Sequence, residues 1–68
     1  MKYSNYMIST KSKDEYEECL GLIDSLGLKK VGVCKEDCKY QIVFVSESIP
    51  MVIKDKALRF AIKVEKVV

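Results

Sequence analysis

The segment Lys39–Ser46, reading KYQIVFVS, most constrains what this chain can become. Side chains alternate across a strand, so Tyr40, Ile42 and Phe44 fall on one face and Gln41, Val43 and Val45 on the other. A strand that is apolar on both faces belongs in the interior of a sheet, with neighbours on both edges. The chain has 68 residues, enough for one domain and no second. The expectation is a single α+β domain over residues 1–68, with elements ordered β-α-β-β-β(-β) and one helix packed on an antiparallel or mixed sheet. The alternative order is β-α-β-β-β-α.

The helix is the clearest local signal. Tyr16, Cys19, Leu20, Ile23 and Leu26 recur at helical spacing. Ser12 and Glu15 stand three apart, as in a capping box. Asp14, Glu15, Glu17 and Glu18 crowd the first turns, where the helix dipole favours anions. Gly27 suits the left-handed position after the last turn, with Leu28 folding back onto Ile23. A helix over about 13–26 follows. Gly21, in its middle, either admits a close neighbour or is merely tolerated.

Residues 3–9 read as a first strand, and 29–34 as a second with Val31 and Val33 on one face. Lys35-Glu36-Asp37 reads as a three-residue hairpin loop leading into 39–46. Pro50 stands where a short strand, Met51-Val52-Ile53, can begin. The tail from 54 to 68 reads two ways. As a strand, it lines Leu58, Phe60, Ile62 and Val64 on one face and Arg59, Lys63 and Glu65 on the other. As a helix, it stacks Ala57, Phe60, Ala61, Val64 and Val68 into a stripe beside Lys56, Arg59, Lys63 and Lys66. The β-branched residues near the end favour the strand.

Chemistry is conspicuous by exclusion. There is no histidine, and no G-x-S-x-G, P-loop or G-x-G-x-x-G motif. The carboxylates gather on the first turns of the helix, a solvated position, so no catalytic residue is assigned and the chain is not read as an enzyme. Cys19, Cys34 and Cys38 are an odd set without the fourth ligand or tight spacing of structural zinc. They read as free structural thiols, with Cys34 and Cys38 facing each other across the hairpin. No metal or cofactor is expected. No apolar run approaches the ~18 residues of a membrane span, and the first residues lack a signal-peptide core. A cytoplasmic, non-membrane protein is expected.

Charge is divided along the chain. Residues 1–28 hold three lysines against five carboxylates, and 29–68 hold nine bases against five carboxylates. Only Arg59 among the bases is arginine, the residue preferred for reading base edges. On the helical reading of the tail, residues 13–68 follow α-β-β-β-α. That order resembles double-stranded RNA-binding domains, with Lys54, Lys56 and Arg59 near the start of the last helix. The family's Gly-rich lysine stretch is missing; Ile53-Lys54-Asp55-Lys56-Ala57 stands there. The chain is therefore not assigned to that family.

The functional expectation is a small protein-interaction module: an inhibitor, adaptor or accessory subunit, of the kind phages and mobile elements encode. The alternatives are a nucleic-acid-binding module using the second-half lysines, or a small-ligand sponge formed at a dimer interface. Lys56, Arg59 and Lys63 are the candidate partner-binding residues, expected as one exposed cluster. Val43 and Val45 are the candidate interface of a homodimer, because one helix covers only one face of the sheet.

Overall fold

The computed structural model describes residues 2–67. Its elements run β1 (Ser4–Thr10), α1 (Lys13–Ser25), β2 (Lys29–Glu36), β3 (Lys39–Ser46), α2 (Met51–Arg59) and β4 (Ile62–Val67). The four strands form one antiparallel sheet in the order β2-β3-β1-β4. Two helices thus interleave with four strands in a split β-α-β arrangement. The domain is α+β with helix packed on sheet, as the sequence indicates, and β3 lies in the interior of the sheet.

Alternation on β1 and β3 builds the core. Tyr6 and Ile8 pair across the strands with Phe44 and Ile42. These side chains meet Tyr16, Cys19 and Ile23 of α1, Ile53 of α2 and Ile62 of β4 in one buried cluster. The Tyr6 and Phe44 rings lie 5.8 Å apart, those of Tyr16 and Tyr40 5.2 Å. Both helices therefore cover the same face of the sheet. Two polar residues are buried on that face, and both close turns. Thr10 Oγ1 accepts from Ser12 N at 3.1 Å, and the Ser46 hydroxyl donates to the Ser48 carbonyl at 2.7 Å.

The limits of α1 follow its caps. Ser12 Oγ accepts from Glu15 N at 3.3 Å. The reciprocal half of the box is not made: Ser12 N goes to Thr10, and the Glu15 carboxylate goes to Lys56 of α2. At the other end Gly27 has φ of 69°, Leu28 N donates to Ile23 O and Gly27 N to Asp24 O. This is a Schellman cap. Leu26 departs from the expected stripe and is exposed.

Three local expectations are corrected. The β2–β3 connection has two residues, Asp37 and Cys38, at φ 30° and 64°, because Glu36 pairs directly with Lys39. Both adopt the left-handed conformation of a tight hairpin turn. Cys34 consequently pairs with Gln41, while Cys38 sits in the turn. A bulge between Lys30 and Gly32 shifts the register of β2, so Val31 and Val33 do not form a simple alternating pair.

The largest correction lies at residues 51–59. Met51-Val52-Ile53 is the first turn of α2, and Pro50 precedes it with φ of −58°. Proline is well placed there, because the first amides of a helix have no intrahelical acceptor. Ile53 is buried and Ala57 packs beside it one turn later, whereas Met51 and Leu58 are exposed. The helix ends at Arg59 and the chain turns extended at Phe60. The tail therefore divides between the two readings, helix to Arg59 and strand from Ile62. Ile62 and Val64 face the core as the strand reading requires; Leu58 and Phe60 do not. The α-β-β-β-α order is not formed, since a strand follows α2. Val68 of the helical stripe lies outside the described residues.

Candidate interaction surface

The face of the sheet opposite both helices is built by the residues alternate to the core. Cross-strand pairing arranges them in rows. Val67, Asn5, Val45 and Lys29 form one row, reading from β4 to β2. Glu65, Met7, Val43 and Gly32 form the next, and Lys63, Ser9, Gln41 and Cys34 the third. Glu36 and Lys39 pair at the far end of the same face. Met7, Val43 and Val45 make an apolar centre, screened only by neighbouring strands and half-buried; Val67 extends it and is exposed. Val43 and Val45 thus lie where the sequence places them, on the uncovered face. Met7 and Val67 belong with them. The alternation of Tyr6, Met7 and Ile8 carried the signal for Met7, since inward neighbours force it outward. At one end of the sheet a cleft of about 1010 Å³ is lined by Met7, Gln41 and Lys63 of the open face and by Glu15, Tyr40 and Phe60.

Charge on this face is nearly compensated. Lys63 Nζ lies 3.8 Å from Glu65 Oε2, and Lys39 sits across from Glu36. Lys29 has no opposite charge beside it in its row.

Lys56, Arg59 and Lys63 are not one exposed cluster. The Lys56 side chain is only 12% exposed. Its ammonium bridges the helices, 2.7 Å from Glu15 Oε1 and in contact with Glu18 Oε2, and lies 4.4 Å from the centre of the Phe60 ring. The Glu15 and Glu18 carboxylates push the Lys56 pKa up. The hydrogen bond and charge of Lys56 hold the Glu18 carboxyl below its usual range. Arg59 is exposed on α2 and pairs with Asp55 at 3.4 Å. Lys63 lies past the end of that helix, on the open sheet face. A second groove, about 460 Å³, separates the helices; Gly21, Leu22 and Val52 line it with Lys56 and Arg59. Gly21 faces this groove, not the sheet, and a Cβ there would meet nothing within 4 Å.

The remaining candidates are dispersed. Cys19 is buried in the core, and burial raises its thiol pKa. Cys34 is half-buried on the open face and Cys38 exposed at the hairpin tip. Among the described residues no three His, Cys, Asp or Glu side chains converge as a metal site, and no helix is long and apolar enough to cross a membrane. Tyr40 and Phe44 point to the helix side and pack in or against the core, so the open face offers bases no aromatic platform from β3. No family model, no curated protein and no solved structure matches this chain.

Proposed function

We propose that this chain is a small protein-interaction module that meets its partner with the helix-free face of its sheet. The observation that carries this reading is the apolar centre of Met7, Val43 and Val45 on the face that neither helix covers. Contiguous apolar surface of this kind marks interaction sites on small soluble domains. The charges around it are mostly paired within the face, which favours contact by shape and apolar burial over capture of a strongly charged ligand. The nucleic-acid alternative loses support from the same geometry. Lys56 and Arg59, two of the cations that reading uses, are engaged by carboxylates and so are less free to release counterions from a phosphate backbone. Lys56, Glu15 and Glu18 join the two helices as an ion-pair clamp, and no catalytic role is proposed for them.

The test is affinity capture from the source cell with wild-type chain, Val43→Glu and Lys54→Glu, each first shown to be folded by circular dichroism. Lys54 is exposed on α2, away from the sheet. A protein held by wild type and Lys54→Glu but released by Val43→Glu supports the reading. Equal capture by all three refutes it.

A further inference from the structure

We infer that the occupant of the open sheet face is a second copy of this chain, related by a two-fold axis parallel to the strands. This deepens the docking reading above and rests on it. The inference comes from the register of charges. On the open face β2 carries Lys29 at one end and Glu36 at the other, while β4 carries Lys63 towards the Glu36 end and Glu65 towards the Lys29 end. A two-fold axis along the strands, between β1 and β3, lays β4 of one copy over β2 of the other. Lys63 then lies one row from Glu36 of the other copy, and Glu65 lies over Gly32, one row from Lys29. Gly32 presents no side chain there, which leaves the Glu65 carboxylate room to turn towards that lysine. Each pairing occurs twice by symmetry. The same operation lays Met7 over Val43 and Val45 over Asn5, so the Met7–Val43 part of the apolar centre covers itself, as in aligned sheet sandwiches.

The perpendicular axis through that centre fails on the same register. It sets Glu65 against Glu65. The charge pattern therefore favours the axis along the strands over the perpendicular one. Two-fold self-pairing is also the commonest way for one surface patch to be closed. The face spans roughly 19 Å across four strands at ~4.8 Å spacing and about 20 Å along them. That is small beside the ~800 Å² per partner of a standard interface, so association belongs in the micromolar range or weaker.

The experiment is a charge exchange read by sedimentation equilibrium from about 1 µM to about 1 mM. Lys29 and Glu65 stand on opposite edge strands, roughly 14 Å apart across three strand spacings, too far to pair within one chain. Glu65→Lys is expected to weaken dimerisation roughly tenfold. Adding Lys29→Glu is expected to recover most of the loss, which only a contact between copies explains. Zero-length carbodiimide cross-linking of mixed light and heavy-isotope copies, read by mass spectrometry, keeps the test open should a charge variant fold poorly. It is expected to join Lys29 of one wild-type copy to Glu65 of the other. A dimer whose double variant is no better than Glu65→Lys, or whose cross-links omit this pair, overturns the orientation. A monomer at every concentration overturns the second copy as occupant. If Val43→Glu still releases another captured protein in that case, the docking reading survives; if it releases nothing, both fail.

Discussion

The two faces of the sheet are made by the same strands and have opposite fates. On β3, Ile42 and Phe44 have no exposed surface, while Val43 and Val45, each one residue away, are half-buried and uncovered. Composition and strand propensity do not separate them, since all four are β-formers. Parity does: helices α1 and α2 both lie on the even side of β3. Apolar side chains on that side hold the fold together, and those on the other side are free for contact. The clearest way to break this comparison is to truncate one residue on each face. Phe44→Ala removes most of a fully buried ring, a loss of about 3–5 kcal/mol. A core in a chain this size supplies little more than that. Phe44→Ala is therefore expected to be largely unfolded at 25 °C by circular dichroism, whereas Val43→Ala remains folded. Equal losses would show that the faces do not differ.

The cover itself can be weakened without touching the sheet. Ser12 caps the first turn of α1, and Ser12→Ala is expected to lower stability by about 1 kcal/mol in urea denaturation. The Glu15 carboxylate does not complete the box, so Glu15→Gln is not expected to mimic that loss through the cap. An unchanged midpoint for Ser12→Ala would mean that packing alone fixes the start of α1.

The clamp joining the helices sharpens the comparison through pH. The Glu18 carboxyl is held down by Lys56, so its contribution is present above the ordinary glutamate pKa and is lost as pH falls through the lowered one. The Lys56 pKa is raised, so its contribution is complete below the ordinary lysine value and is lost as pH rises through the raised one. The clamp should add a plateau between these limits. Water still reaches Glu18, so Lys56→Met is expected to lower stability less than Ser12→Ala does at neutral pH. It should also flatten the acid limb of the thermal midpoint against pH. An acid limb identical to wild type would show that the ions are solvated independently.

Much of this was readable in the chain, and the failures have definite causes. Ser12, Gly27 and Leu28 set the ends of α1 through short-range hydrogen bonds, which depend on residue type and spacing alone. The alternation in Lys39–Ser46 gave both faces of β3 correctly. Residues 51–59 misled because β-branched Val52 and Ile53 open a helix whose single buried anchor is Ile53; tertiary packing overrides propensity there. Lys56 looked like part of a basic stripe because its partners, Glu15 and Glu18, stand about forty positions away on another helix. The charge rows on the open face depend on the register of β2 and β4. The bulge at Lys30–Gly32 and the break at Phe60 set that register, and neither has a local sequence signal strong enough to count residues by.

The smallest expected effect on stability tests the open face most directly. Val43→Thr keeps the shape and branching of the side chain and replaces one methyl with a hydroxyl. In the monomer that hydroxyl meets water, since no helix covers position 43, and folding stability should change by no more than about 0.5 kcal/mol. In any complex that covers the face, the hydroxyl is removed from water opposite an apolar Met7 or its equivalent. An unpartnered buried hydroxyl costs about 1–3 kcal/mol, so association should weaken far more than folding. Measuring both quantities on one preparation separates the roles. A large loss of stability with unchanged association would place Val43 in the core and remove the open face as a contact surface. An unchanged midpoint with weakened association would show that the two sides of β3 do different work.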